Sequence, residues 1–183
     1  PDKILLQKAT DFHGQFEFKP LEPGFGQTIG NSLRRILLSS LEGYAISAIR
    51  IAGVDHEFSS IPGVVEDVVD IILNIKQIRL KSAVKGDKAT EHQIYITISG
   101  QDEFRAKDIE SRTNMFKVMN PELLICKMEP SVNLELEMTI TKGRGYVPAE
   151  ENMPENAPIG VIPVDAIYTP LKKVSYHVSN TRV

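Results

Sequence analysis

Residues 21–40 read LEPGFGQTIGNSLRRILLSS, and this stretch decides how the start of the chain folds. It opens on helix breakers, Pro23 among them, and continues without a further proline in a pattern that repeats at the helical period. Thr28 is of a residue type that caps helix N-termini, and Gly43 is of the type that ends helices in a left-handed conformation. The pattern therefore predicts a helix from Thr28 to about residue 41.

The two faces of this predicted helix differ in character. On a helical wheel of about 100° per residue, an apolar arc gathers around Leu33, Ile36 and Leu37, as expected of a helix that faces a core. The opposite arc is polar, except that one leucine, Leu38, stands between two arginines, Arg34 and Arg35. A single exposed leucine is common on protein surfaces, but a large apolar side chain flanked by arginines is also the composition of an interface hot spot.

The rest of the chain alternates between short strand patterns and one further helix pattern. The strictest alternation lies in residues 131–142, where apolar residues face one side and polar residues the other. A second helix is predicted over residues 64–77, and residues 149–158 are predicted as a loop. Further strands are predicted over residues 15–19, 44–51, 93–99, 159–167 and 171–178. Together these elements predict an α+β fold.

The second predicted helix is unusually apolar. Its hydrophobic residues cover about twice the ~100° that a core-facing stripe needs, and Lys76 falls within this apolar arc. Two explanations remain open. Either the helix is sandwiched between two layers of its own domain, or part of its apolar surface and the Lys76 ammonium meet a partner.

The composition is that of an average folded domain and excludes several classes of protein. The chain has 183 residues, of which 42% are hydrophobic and 25% charged, and its net charge is −3. This charge argues against binding DNA or RNA through bulk positive charge, and no apolar run reaches the length of a membrane span. The single cysteine, Cys126, lies in an apolar run, which predicts a buried structural thiol in a reducing compartment such as the cytoplasm.

No residue pattern predicts a catalytic site, a cofactor site or a metal site. The four histidines show no motif spacing to one another or to Cys126. Asp55, His56 and Glu57 are metal-ligand types, but three consecutive residues of a strand do not face one ion. Residues 24–26, Gly-Phe-Gly, precede a helix without the rest of a phosphate-binding motif, so a structural turn is the better interpretation.

Six stretches, in this order, carry a family resemblance that covers nearly the whole chain. They are residues 21–40 quoted above, GVDHEF at 53–58, GVVEDV at 63–68, ILNIK at 72–76, KGRGYVPA at 142–149 and VDAIYTP at 164–170. Together they resemble the bacterial-type DNA-directed RNA polymerase alpha subunit family. The resemblance implies a split, two-layer dimerisation subdomain, residues 1–42 with 169–183, and a mostly β insert subdomain, residues 43–168.

In that family the alpha subunit performs no chemistry. The resemblance implies that the chain is a non-catalytic assembly subunit, which forms a homodimer and is the platform on which the beta and beta-prime subunits assemble for DNA-templated transcription. Family members continue into a second long helix and a C-terminal domain that contacts promoter DNA, and this sequence contains neither. No direct DNA contact is therefore expected of these residues, and the lack of a long apolar run predicts no membrane contact.

The resemblance also gives a role to the unusual residues of the two helices. Positions that hold beta in the family match Arg35 and Leu38, and positions linked to beta-prime match Lys76 and Val164. The same exposed arc adds Asn31, Arg34 and Ser39 to the expected beta surface, and the opposite arc of Leu33, Ile36 and Leu37 is expected to pack in the core and across the dimer.

Two other functions remain open at this point. The same α+β scaffold could be a free-standing adaptor for another protein, or a small hydrolase whose residues assemble from distant strands. Dependence of beta capture on Arg35 distinguishes the assembly subunit from the adaptor. The helical wheel further predicts that Leu38→Asp leaves folding nearly intact, whereas Leu33→Asp unfolds its subdomain by burying a charge.

Overall fold

The computed structural model describes residues 3–84, 86, 89–153 and 156–180, which form two compact units. The first unit combines the residues up to 38 with those from 171 onwards, and the second comprises residues 39–170. The helices are α1 (Phe25–Ser39), α2 (Val68–Ile75) and α3 (Ala106–Arg112), and a short 3-10 helix spans Ala149–Asn152. The strands are β1 (Lys3–Ala9), β2 (Gly14–Lys19), β3 (Glu42–Ile51), β4 (Leu80–Ser82), β5 (Glu91–Ser99), β6 (Glu103–Arg105), β7 (Phe116–Val118), β8 (Leu124–Lys127), β9 (Asn133–Arg144), β10 (Tyr146–Val147), β11 (Val161–Pro163) and β12 (Ala166–Ile167).

A six-stranded antiparallel sheet is the frame of the second unit. Its strand order is β5-β9-β3-β4-β7, and β11 pairs with β3 next to Ile49. The long strand β9 lies between β5 and β3, and its alternation is confirmed: Leu134, Leu136, Met138 and Ile140 are all buried. The strand predicted over residues 159–167 is two short strands, β11 and β12. Of the loop predicted over residues 149–158, residues 154 and 155 lie outside the described residues.

The core of the second unit combines the buried residues of this sheet with those of α2 and α3. α2 contributes Val68, Ile71 and Ile75, which recur at helical spacing on one face. Cys126 in β8 is also buried, as the sequence predicts. Burial, together with the negative charge of Glu66, raises the pKa of the Cys126 thiol to about 12. The thiol is therefore protonated at neutral pH and has a structural role.

α1 differs from the prediction at both ends. It begins at Phe25, three residues early, directly after Gly24, whose φ of 86° is in the left-handed region. It ends at Ser39, so the prediction of a left-handed cap at Gly43 is wrong, because that glycine already lies in β3. Gly43 is required for another reason: a side chain there would clash with the carbonyl oxygen of Tyr168.

α2 is shorter than predicted because the residues before it pair with the strand β8. The Val65 N–H donates to the Lys127 carbonyl at 2.9 Å, and the Glu66 carboxylate accepts from the Lys127 N–H at 2.6 Å. The helix starts only after Asp67, whose side chain caps it by accepting from the Asp70 N–H at 2.8 Å. Residues 64–67 lie outside the helix, so its apolar stripe is narrower than the sequence suggests.

The first unit contains the hairpin β1-β2, α1 and the segment 171–180. The prediction of a strand over residues 171–178 is wrong. This segment packs against α1, and the side of a helix has no free backbone N–H and C=O groups with which a strand could pair. On the hairpin, Ile4, Leu6 and Phe16 are each more than half exposed. The described part of this unit therefore leaves a large apolar surface uncovered.

Candidate protein-binding surfaces

The predicted binding surface on α1 is accessible in this chain. None of the 15 residues of the helix is buried. Arg34, Arg35 and Ser39 are exposed, whereas Leu38 is half-buried rather than fully exposed as the helical wheel indicated. Arg35 and Leu38 are three residues apart, so they are neighbours on one side of the helix. This side offers a guanidinium next to an apolar side chain, a combination found at the centre of protein interfaces.

Part of α1 is covered by the segment 171–180 of the same unit. The ring of Tyr176 packs against Gly30, where any side chain would clash with it. The Tyr176 hydroxyl accepts from the Gln27 amide at 2.8 Å and donates to the Asn31 side-chain oxygen at 2.7 Å. Asn31 therefore already has a partner within the chain, and no local sequence pattern predicted that this partner is Tyr176. Gly30 inside a helix was a usable signal, since a helical glycine can mark a close contact.

The expected core face of α1 is only partly covered within this chain. Ile36 is 52% exposed, and Leu33 and Leu37 are half-buried. Among the described residues, this unit contains only one hairpin and one helix, so too few side chains surround α1 to bury one whole face of it. Leu33 and Leu38 have similar burial, so the structure gives no reason for the large difference expected between their aspartate variants.

Lys76 and Asp165 form a partly buried ion pair in the second unit. Lys76 is the C-cap residue that directly follows α2, and its Nζ lies 3.4 Å from Asp165 Oδ2. The other carboxylate oxygen accepts from the Ala149 N–H at 3.0 Å. Burial would raise the pKa of Asp165, but the bonds from Ala149, Lys76 and Tyr146 outweigh it and lower the pKa. The carboxylate therefore joins the end of α2 to the turn after β10 at neutral pH.

Val164 does not present its side chain to a partner. It is fully buried in the core of the second unit, and its N–H donates to the Ser47 carbonyl at 2.8 Å. The resemblance links this position to beta-prime, but a side chain buried in this way has no surface available for a direct contact. Its neighbour Asp165, which was not predicted from the sequence as a site residue, has a side chain that is 29% exposed beside Lys76. The only sequence signal for this pair was the opposite charge of Lys76 and Asp165, which lie in two of the stretches that carry the family resemblance, residues 72–76 and 164–170.

The Asp165 carboxylate should make folding pH-dependent. We expect Asp165→Asn to lower the free energy of unfolding by about 1 kcal/mol at pH 7, because charge-assisted hydrogen bonds are lost. The folded-state pKa lies below the ordinary value of 3.8, so this contribution is present above pH 3.8 and lost as the pH falls through the folded value. Urea unfolding at pH 7 and near pH 3 measures it.

The control for this pH effect is Asp102→Asn, which removes an exposed carboxylate from the same unit. Its unfolding free energy should stay within about 0.5 kcal/mol of wild type at both pH values. A difference in unfolding free energy between Asp165→Asn and wild type that stays constant down to pH 3 would contradict the expected contribution of the ionised Asp165 carboxylate to stability.

The sequence contained two weaker candidate sites, a possible metal cluster at residues 55–57 and a glycine turn at residues 24–26, and the structure supports neither. His56 Nδ1 lies 3.2 Å from Ser59 Oγ, and the described residues contain no group of three or more side chains placed to hold a metal ion. Gly24 directly precedes α1, and a Cβ atom added to it would have nothing within 4 Å. None of the helices in the described part of the chain has the length and apolar character that crossing a membrane requires.

The amino-acid sequence of this chain is similar to those of known proteins over its whole length. Residues 49–169, more than half of the chain and nearly all of the second unit, match the family model of the RNA polymerase Rpb3/RpoA insert domain. Over 183 residues the chain is 57% identical to the DNA-directed RNA polymerase subunit alpha of Cytophaga hutchinsonii and 56% identical to that of Flavobacterium psychrophilum. It is 45% identical to the subunit of the same name from Salinibacter ruber. Each match covers 100% of this chain and 55% of the relative, so the chain spans about half the length of these proteins.

Proposed function

This chain belongs to the RNA polymerase Rpb3/RpoA insert domain family, and from that premise we propose that it is the alpha assembly subunit of a bacterial DNA-directed RNA polymerase. The observation that carries the proposal is identity above 50% over the whole chain to proteins named as that subunit. The subunit acts in the cytoplasm as a scaffold for transcription, and the nucleotidyl transfer itself takes place in other subunits. A free-standing adaptor is not favoured, because these relatives carry the polymerase name.

In this proposal the chain is divided between two tasks. Residues 1–42 and 169–183 belong to the dimerisation subdomain, and residues 43–168 form the insert subdomain. The division of the structure after residues 38 and 170 supports these boundaries. The exposed Ile4, Leu6 and Phe16 of the hairpin and Ile36 of α1 support homodimer formation, because several large exposed apolar side chains in one small unit are typical of a protein interface.

We assign the contact with beta to the accessible side of α1. Arg35 and Leu38 are its centre, with Arg34 and Ser39 beside them, all on a helix that buries none of its residues. Asn31 has a smaller part, because its side-chain oxygen is bonded to Tyr176. An arginine and a leucine on adjacent turns supply charge complementarity and apolar area at once.

We assign the contact with beta-prime to Lys76 and Asp165. Both side chains are about 70% covered, so a partner that completes their burial would increase the attraction between the two charges while adding a desolvation cost. Val164 acts indirectly in this assignment, because its buried side chain holds Asp165 in position beside Lys76. This surface is formed within the second unit alone.

Capture of beta by the full-length chain tests the assignment of α1. We expect Arg35→Glu to reduce beta capture at least about tenfold, because it replaces an interface cation with a repelling charge. Leu38→Asp should have a similar effect. The measurement is co-purification of tagged chain with beta, with quantification of both proteins and a circular dichroism spectrum of each variant.

The matched control is Arg112→Glu, the same charge reversal at an exposed arginine at the end of α3 in the second unit. It should capture beta as wild type does. Wild-type capture by folded Arg35→Glu and Leu38→Asp would remove α1 as the beta surface. Failure of the wild-type chain to capture beta would instead favour the adaptor function on this scaffold.

A further inference from the structure

Strand β5 forms one edge of the six-stranded sheet, and its outer side has no strand partner among the residues that the structure describes. Its pairing with β9 runs from Glu91 to Ser99 without a bulge. The strand contains neither proline nor lysine. Proline, lysine and β-bulges are features that commonly protect an edge strand, because an unprotected edge pairs readily with another chain. α3 also approaches β5, but no described strand occupies its outer side, so this regular edge of nine residues lacks a strand partner that another chain could supply.

The backbone groups that face this open edge follow from the hydrogen-bond pattern. The Lys142 N–H donates to the Thr90 carbonyl at 2.9 Å, in register with the β5-β9 ladder. In an antiparallel ladder every second residue of a strand bonds to the same neighbour, so the even-numbered residues of β5 bond to β9. Gln93, Tyr95 and Thr97 therefore direct their N–H and C=O groups away from the sheet, where an added strand would bond.

An acidic groove of about 360 Å³ lies beside this edge, across β5, β9 and the end of β3. Three carboxylates line it, Asp55, Glu135 and Glu137, against one guanidinium, Arg50. Arg50 Nη1 lies 3.9 Å from Glu137 Oε2, and within the described ranges no cationic side chain forms an ion pair with Asp55 or Glu135. The groove therefore has an excess of negative charge.

The groove also offers contacts for the body of a long side chain. Tyr95 is 68% exposed, and its hydroxyl donates to Glu137 Oε1 at 3.0 Å, which holds the ring across the groove. Ile159 is 84% exposed on the groove wall. An aromatic ring beside carboxylates suits a lysine or arginine, whose stem packs on apolar surface while its cation meets the ring and the acids.

We propose that β5 and this acidic groove bind an extended basic segment of another protein by strand addition. The main chain of the segment bonds to Gln93, Tyr95 and Thr97, and its alternate lysine or arginine side chains lie over Tyr95 toward Glu135. The occupant is basic because the groove is acidic. The surface is distinct from α1 and from the Lys76–Asp165 pair, so this binding is additional to polymerase assembly.

The test uses an end-blocked nonapeptide of alternating lysine and valine as a probe for the full-length chain. Fluorescence anisotropy of the labelled peptide should show saturable binding at about 50 mM salt that weakens as the salt is raised, because exposed charges are screened. The same peptide with glutamate in place of lysine should bind at least about tenfold more weakly. Equal affinity for the two peptides would overturn the charge argument.

Two variants locate the binding site. Thr97→Pro removes an N–H that has no partner in the sheet, a position where an edge strand tolerates proline, and should weaken peptide binding at least about tenfold. Glu135→Gln keeps the shape of the side chain and should weaken binding about threefold. Its matched control is Glu122→Gln, an exposed glutamate that does not line the groove, which should leave binding unchanged.

Unchanged binding by a Thr97→Pro variant with a wild-type circular dichroism spectrum would overturn strand addition. If that variant does not fold, the glutamate pair decides, because equal affinities of Glu135→Gln and Glu122→Gln would remove the groove as the site. Beta capture by α1 involves none of these residues, so the failure of this proposal leaves the assembly function unaffected.

Discussion

Gly43→Ala should lower the free energy of unfolding of the second unit by about 3 kcal/mol and its melting temperature by roughly 10 °C. Gly43 pairs with Gly143 across β3 and β9, and Tyr168 lies against both glycines. An alanine at Gly43 would meet the backbone carbonyl of Tyr168, which cannot rotate away as a side chain can. The clash must therefore displace a central strand or the segment that carries Tyr168.

The control for Gly43→Ala is Gly100→Ala. Gly100 has a φ of 72° and nothing within 4 Å of an added Cβ, so its variant has backbone strain without a clash. We expect it to cost about 1 kcal/mol. Equal destabilisation by the two variants would show that the approach of Tyr168 is not what requires Gly43.

Labelling of Cys126 by a thiol reagent reports on the second unit specifically. The thiol is buried and its pKa is raised to about 12, so it reacts only when the unit opens. If Gly43→Ala lowers the free energy of unfolding by about 3 kcal/mol, the rate of Cys126 labelling should increase about 100-fold at a fixed pH near 8. This readout separates opening of the second unit from unfolding of the first.

Phe116→Ala should destabilise the second unit at least as much as Gly43→Ala, and we expect it to lower the free energy of unfolding by about 4 kcal/mol. Phe116 is 2% exposed, and its ring contacts Tyr44 and His92 edge-on, each at a centroid distance of 5.2 Å. Alanine removes both ring contacts and leaves a cavity between β7 and the neighbouring strands, which rigid strands fill only partly. Urea unfolding and Cys126 labelling both measure the loss.

Phe58→Ala is the matched control for the cavity. Phe58 belongs to the same unit but is 81% exposed, so its truncation removes little buried area. We expect a change within about 0.5 kcal/mol. A small effect of Phe116→Ala, close to that of Phe58→Ala, would mean that the Tyr44, His92 and Phe116 cluster does not stabilise the fold.

The elements that the sequence predicted well are those whose pattern is long and regular. β9 has 12 residues and a regular apolar alternation from Leu134 to Ile140, so both its existence and its buried face were predictable. α3 was missed because seven residues are too short for a helical period to show. One signal was available: the Asp108 carboxylate accepts from the Arg105 N–H at 2.8 Å, the contact that an acidic residue makes at the third helical position.

The candidate surfaces were predictable in part. The sequence pointed to Arg35 and Leu38 because an apolar residue among arginines is visible on a helical wheel, and the structure shows that they lie on an accessible helix. It did not show that Val164 is buried or that Lys76 is paired with Asp165, since the two partners are 89 residues apart. A wheel describes one helix, whereas burial depends on what packs against it.

The sequence by itself determined the α+β class, the buried thiol of Cys126, the long strand β9 and the family, because each depends on composition or on residues close together in the chain. Only the tertiary structure decided which surfaces are available. Tyr176 covers Gly30 from a position 146 residues further along the chain, and it bonds to Asn31 over a separation of 145 residues. Contacts between residues this distant form only when the chain folds, so no local pattern of the sequence records them.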